Sequence, residues 1–231
     1  MKKNSQKNIC VILSWPSHPE NIGLVARAMN NTGYRYLRLV TDQPLSKTAY
    51  QTAVHSKQVL KNAQIFSQLS EAVRDVDVVF AAVARHRKNF PSLRFEDAVE
   101  KIVGFSPETR MGLVFGNERT GLVSEELRHS NFRFSIPQVQ EQPSYNLAAA
   151  VLLTLFQVFL REAPKENKPE PKPVSRRKQK ECIDLIANKL EKKDFIHQGN
   201  KEHVTDMLYD LFGRLAMTEK DQKLLLAIFS K

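Results

Sequence analysis

Residues able to do chemistry gather in three polar, turn-like segments, each following an apolar run. Leu113-Val-Phe-Gly-Asn-Glu-Arg-Thr-Gly-Leu122 joins a strand-like stretch to a turn carrying one carboxylate (Glu118), one guanidinium (Arg119) and two glycines, Gly116 and Gly121. Its G-x-x-x-x-G spacing is that of a phosphate-binding loop, but such a loop continues with Lys and Ser/Thr. Here Leu122 and Val123 follow, so nothing clasps a β-phosphate or magnesium. The turn suits a ligand other than a nucleoside triphosphate.

The second segment is Pro19-Glu-Asn-Ile-Gly-Leu-Val-Ala-Arg27. Asn21 and Gly23 fall where a strand has ended and a helix begins. Arg27 lies off the Ile22/Val25/Met29 stripe and is no core residue. Alone, the segment reads as an N-cap asparagine with a solvated arginine, or as part of a site. The third runs from Ile136-Pro137 to Gln142-Pro-Ser-Tyr-Asn-Leu147. Ser144 is a natural N-cap for the apolar helix that follows. Asn146 opens that helix, where an amide needs a partner once buried. A helix start also offers free N–H groups to a carboxylate. Three such turns at strand ends suggest one composite pocket in the crevice of an open sheet. No G-x-G-x-x-G occurs, and Ser, His and Asp do not cluster as a hydrolytic triad. The six histidines (18, 55, 86, 129, 197 and 203) lack metal-ligand spacing, so no metal is expected.

The elements that must position these turns alternate. Ile9–Leu13, Tyr36–Val40, Val76–Ala82, Met111–Phe115 and Phe132–Ile136 read as strands. Helices are expected over about 20–31, 48–61, 67–74, 94–102 and 123–129, with a buried one from about Ser144 to Arg161. Strands apolar on both faces predict an α/β fold, a mostly parallel sheet with helices on both sides.

Composition then changes. Ala163 to Pro173 is proline-rich and charged and reads as a linker. Residues 161–180 hold eight Lys and Arg against three Glu, half of the chain's net charge of +10. Three helical stripes follow: Ile183/Ile186/Leu190, Val204/Met207/Leu208/Leu211/Phe212 and Leu224/Leu225/Ile228/Phe229. Thr218 and Asp221 have the spacing of a capping box. The expected division is a catalytic unit over 1–162, a basic linker over 163–177 and a small all-α extension over 178–231. So small a unit is marginal alone and is expected to dock on a partner surface.

A net charge of +10 in 231 residues favours a polyanionic partner, nucleic acid before an anionic membrane. Cys10 and Cys182 lie far apart and make no C-x-x-C pair, which speaks against zinc or a disulfide framework. The run Ile9–Leu13 after the basic N-terminus is too short for a signal peptide. Leu147–Leu160 is too short to span a bilayer. A cytoplasmic protein with no membrane role is expected.

Taken together, the three segments resemble the SpoU-type (TrmH-like) branch of the SPOUT RNA ribose methyltransferases. Asn21 to Gly33 is similar to that family's first motif, Phe115 to Leu122 to its second, and Ile136-Pro with Ser144 to Val151 to its third. The likeness spans about residues 8–162. Ala84-Arg-His-Arg87 after the central strand, and the helical extension, resemble the TrmJ subgroup, which methylates a pyrimidine 2′-hydroxyl in the tRNA anticodon loop.

The resemblance implies a SPOUT-like fold with a C-terminal trefoil knot, and a homodimer whose site uses both subunits. S-adenosylmethionine (SAM) would lie among Ala82, Val83, Ala84, Gly116, Ile136, Ser144, Tyr145 and Asn146. Arg27, Asn21, Glu118, Ser144 and Asn146 fall on positions tied to RNA placement and catalysis. RNA, with tRNA foremost, is the implied partner; DNA is not. A guanidinium is rarely neutral, so Arg27, from the neighbouring subunit, is expected to stabilise developing charge rather than act as base. A ribosomal RNA methyltransferase and a non-catalytic RNA-binding knot protein stand as alternatives.

Overall fold

A computed structural model describes residues 8–84, 91–139, 144–162 and 172–229. Arg85, His86, Arg87, Gln142, Pro143, the N-terminal lysines and most of the expected linker lie outside the described residues.

Seven parallel strands form one sheet: β1 (Ile9–Ser14), β2 (Tyr36–Val40), β3 (Gln64–Phe66), β4 (Val78–Ala82), β5 (Leu93–Arg94), β6 (Met111–Phe115) and β7 (Phe132–Ser135), in the order β3-β2-β1-β6-β4-β7-β5. Every residue of β1 and β6 is buried, as a parallel sheet covered on both faces demands. Their register aligns Leu13 with Phe115, while β4 meets β7 at Ala82 and Phe134. The C-terminal ends of β1, β6, β4 and β7 thus share one edge. β3 and β5 are absent from the strands expected above, and β4 begins two residues later than the apolar run suggests.

Helices follow in chain order: α1 (Pro19–Thr32), α2 (Lys47–Ala53), α3 (Lys57–Lys61), α4 (Leu69–Ala72), α5 (Phe95–Gly104), α6 (Ser124–Leu127), α7 (Leu147–Arg161), α8 (Arg176–Lys192), α9 (Lys201–Arg214) and α10 (Glu219–Phe229). One face of the sheet joins Val11, Leu13, Phe80 and Phe115 to α1, α5 and α7 through Val25, Met29, Ile102, Val151 and Leu155. The other joins Ile12, Val79 and Val114 to Val73, Leu122 and Leu127 beside α4 and α6. The alternation of odd and even strand residues between these cores is the period-2 rule of a pleated strand.

Two expected helix starts move. α1 begins at Pro19, a residue suited to the first helical position, so Asn21 lies inside it and is not its N-cap. α7 is capped by Asn146, whose side-chain oxygen accepts from the Ala148 N–H at 2.9 Å. Ser144 stands two residues outside and caps nothing.

The last three helices share a small core of Val174, Cys182, Ile183, Ile186, Phe212 and Met217. The Thr218–Asp221 pair closes its box at the start of α10: the Asp221 carboxylate accepts from the Thr218 N–H, and the Thr218 hydroxyl accepts from the Asp221 N–H. This unit docks on its own chain. On β7, Phe132 and Phe134 join the first core, while Arg133 between them takes the opposite face, buried to 1% exposure. Its guanidinium pairs with Asp210 of α9. Arg128 pairs with Asp206. Arg176 donates to the Arg128 carbonyl at 3.0 Å, and Asn131 donates to Gln179 at 3.3 Å. α8 therefore starts two residues inside the expected linker, with its first residue already bonded to the segments before β4 and after α6.

Candidate functional site

The three turns meet at the C-terminal edge of the sheet. Phe115 ends β6, and the chain turns sharply at Gly116. A Cβ there would stand 2.5 Å from both the Gly121 carbonyl carbon and the Leu122 nitrogen, so only glycine fits this close approach. Gly121, at φ +65°, closes the same turn. Asn117 pins it: its side-chain oxygen accepts from the N–H groups of Arg119 (2.9 Å) and Thr120 (3.2 Å). Its amide donates to the Trp15 carbonyl (2.7 Å) and the Ser17 hydroxyl (2.6 Å). The turn after β6 is thereby tied to the loop after β1.

Glu118 completes the joint. Its carboxylate accepts from the Ser17 N–H at 2.7 Å, the His18 N–H at 3.3 Å and the Asn21 amide at 2.8 Å. Burial by itself would raise this carboxyl. The bonds from Asn21 and from the backbone N–H groups of Ser17, Glu118 and His18 outweigh it and hold the group below its ordinary value, so Glu118 is an anion at neutral pH. Asn21, 5% exposed, accepts in turn from the Asn146 amide at 2.9 Å. One chain of bonds thus runs from the first segment (Glu118) through the second (Asn21) to the third (Asn146).

Beside this chain lies a cavity of about 570 Å³, within the usual range of about 300–1,000 Å³ for small-molecule sites. Its wall includes Ala82, Val83 and Ala84 from the end of β4, Gly116 and Glu118, Ile136, and Ser144 and Tyr145. Asn146 is not part of that wall; it stands just before Leu147, which is. The Tyr145 hydroxyl donates to the Pro137 carbonyl at 2.9 Å, orienting its ring at the rim. Arg27 is exposed on α1, and among the described residues its guanidinium has no hydrogen-bond or ion-pair partner. Glu118 and Asn21 bond each other, and neither bonds the Arg27 of its own chain.

Several wall residues were not singled out from sequence: Asn117, Thr120, Leu122, Gln138, Leu147 and Ala150. Asn117 lay in view inside the second segment, but its two-sided bonding depends on loops 100 residues apart. Ser14 likewise gave no signal. Its hydroxyl bonds Glu126, whose other oxygen accepts from the Val123 N–H at 2.8 Å. That contact closes the far side of the same turn.

The SpoU rRNA Methylase family model matches residues 8–156, the span that holds all three turns. The chain belongs to the SpoU methylase family. A relative in Methanocaldococcus jannaschii, a tRNA (cytidine-2′-O-)-methyltransferase TrmJ, is 30% identical over 227 residues, covering 90% of each chain. The crystal structure of TrmJ from Z. mobilis ZM4 superposes with a TM-score of 0.81 at 28% identity, over 96% of this chain and 97% of that one. The SpoU methyltransferase AviRb from Streptomyces viridochromogenes, solved in complex with AdoMet, shares the fold at 17% identity and a TM-score of 0.54, over 69% of this chain and 60% of its own. SpoU methylases depend on SAM, and the cavity offers what that group needs: apolar walls at Phe115, Leu122, Ile136 and Leu147, polar groups at Thr120 and Ser144, and a glycine where backbone must come close. Among the described residues no helix is long and apolar enough to cross a membrane.

Proposed function

We propose that this protein transfers a methyl group from SAM to a ribose 2′-hydroxyl of tRNA, at a pyrimidine of the anticodon loop. The observation that carries the reading is the continuous hydrogen-bond chain Glu118–Asn21–Asn146 standing against the cavity. It brings an anion and two amides, drawn from all three motifs, to the place where a sugar would meet the donor. The names of the TrmJ relatives support the substrate.

When bound, SAM would supply a sulfonium methyl for transfer to the ribose 2′-oxygen. Ala82 to Ala84, Gly116 and Ile136 would hold the donor, with Ser144, Tyr145 and Asn146 closing over donor and ribose. Arg27 would stabilise the developing alkoxide electrostatically. Positioning of this kind contributes about 7–11 kcal/mol to a barrier in favourable cases.

Among the described residues Arg27 has no hydrogen-bond or ion-pair partner, which supports its delivery to the site of a second subunit. The surface of α7 supports a homodimer as well. Val151, Leu155 and Val158 face the core, while Leu152, Phe156, Phe159 and Leu160 are 42–54% exposed on the other side. So much contiguous apolar surface suits a subunit contact. The implied knot would belong to the catalytic unit over 1–162, with the basic linker and the helical extension adding salt-dependent grip on phosphates.

The test is incubation with labelled SAM and separated tRNA and ribosomal RNA pools, then mapping of the labelled nucleotide. Label at a 2′-oxygen in the anticodon loop is expected. Label confined to ribosomal RNA would reassign the substrate. Bound SAM with no transfer to either pool would overturn the enzyme reading.

A further inference from the structure

We propose that the indole of Trp15 is a stacking platform for a nucleobase of the RNA substrate, next to the ribose that is methylated. The inference rests on the RNA-methyltransferase reading above and adds to it a base-binding subsite outside the three motifs.

Trp15 is the chain's single tryptophan. It follows directly on β1 and has φ +51°, a strained left-handed backbone that is an outlier for a bulky residue. Such strain persists only where the surroundings enforce it. Here they do: the Trp15 N–H donates to the Val40 carbonyl at 2.9 Å, and its carbonyl accepts from Asn117 at 2.7 Å. The strained geometry leaves the largest apolar side chain of the protein 43% exposed. A turn needing only this backbone would be served by glycine or asparagine at lower cost. A core residue would be covered.

Its place relates the indole to the reacting groups. Two and three residues further on, the Ser17 and His18 N–H groups hold the Glu118 carboxylate. Trp15 is tied to the end of β2, on one flank of the 116–121 turn. The cavity opens on the other flank, toward β4 and β7. A nucleotide whose sugar lies at Glu118 and Asn21 can therefore keep its 2′-oxygen toward the cavity and its base toward Trp15. Unstacked loop bases are bound by proteins on aromatic faces, and every base has such a face.

The single tryptophan makes the test direct. With the full chain saturated with SAM, addition of an anticodon stem-loop RNA should quench the Trp15 emission saturably, at the RNA concentration that half-saturates methylation. Trp15→Leu, which keeps apolar bulk but offers no ring, should raise the KM for RNA about tenfold to a hundredfold with SAM affinity unchanged; Trp15→Phe should recover most of it. Unchanged emission while RNA is bound, or equal KM for Trp15→Leu and the parent, would overturn the subsite. So would a dimer that dissociates on either substitution, which would assign the ring to subunit contact. If the parent itself methylates no RNA, the failure lies with the enzyme reading.

Discussion

Asn21 and Asn146, 125 residues apart along the chain, are joined amide to amide by a 2.9 Å hydrogen bond. The bond is directional: Asn146 donates, Asn21 accepts, and the Asn21 amide passes its own hydrogen to Glu118. Each side chain at this joint is oriented by the next, back to an ionised carboxylate.

Removing the middle of that chain should therefore cost more than one bond. Asn21→Ala strips a donor from Glu118 and an acceptor from Asn146. Each group left unsatisfied in a buried place costs about 1–3 kcal/mol. Urea unfolding should show a loss in this range, and methyl transfer should fall further than stability explains. An unchanged rate would separate the bond chain from the chemistry.

Arg27 offers the opposite case, because among the described residues its guanidinium holds no other group. Arg27→Ala should leave the melting temperature and the calorimetric affinity for SAM close to the parent's. The rate of transfer should drop by about 10²–10³-fold, as when one stabilising donor is lost from a reacting oxygen. Equal loss of SAM binding and rate would place Arg27 in the cofactor pocket instead.

Gly116→Ala tests the floor of the cavity. A methyl group there meets backbone atoms of Gly121 and Leu122 at 2.5 Å, so the turn must open. SAM affinity should fall at least tenfold while the sheet, anchored in β1 and β6, stays folded by far-ultraviolet circular dichroism.

The extension's ion pair should prove costly to break. Asp210→Ala removes the carboxylate paired with Arg133, which is 1% exposed and is left with neutral acceptors at Ser130 and Leu127, and loss of one partner of a buried pair costs about 3–5 kcal/mol. A melting temperature within a degree or two of the parent's would contradict this. For the same reason, deletion of α8–α10 uncovers Arg133 and destabilises the catalytic unit, so it is a poor way to isolate tRNA binding.

Acid should weaken the same contact. Burial, followed by the charges of Arg176, Lys180 and Arg128, pushes His129 down from 6.5 to about 4. The folded protein thus prefers the neutral ring. Its contribution is full above the ordinary value near 6.5 and is lost as pH falls toward about 4. The ceiling is on the order of 3 kcal/mol. Urea midpoints should decline between pH 7 and pH 4.5, and His129→Gln should flatten that decline.

How far these features can be read from residues alone depends on where their partners lie. β1, β2 and β6 announce themselves because burial on both faces leaves only apolar residues. β3 and β5 do not: with three and two residues, the mostly exposed Gln64-Ile65 and Leu93-Arg94 among them, they carry no period. The helix cap was placed at Ser144 by local chemistry, yet the cap went to Asn146, whose second bond to Asn21 fixes the chain there. Arg133 read as one polar residue in a strand; its need for Asp210, 77 residues on, is invisible until β7 is placed under α9. The three motif segments were legible as one pocket because each follows a strand and shares its edge. Trp15 was not, since nothing in the composition of the loop signals a left-handed backbone.

The Arg133–Asp210 pair also sets an order on biosynthesis. Arg133 leaves the ribosome long before the carboxylate that neutralises it, so the emerging sheet holds a charged strand whose pocket is still open to water. Closure waits until Asp210, 77 residues further on, has been made. Truncated products that stop short of Asp210 lack the carboxylate that faces Arg133 in the longer chain.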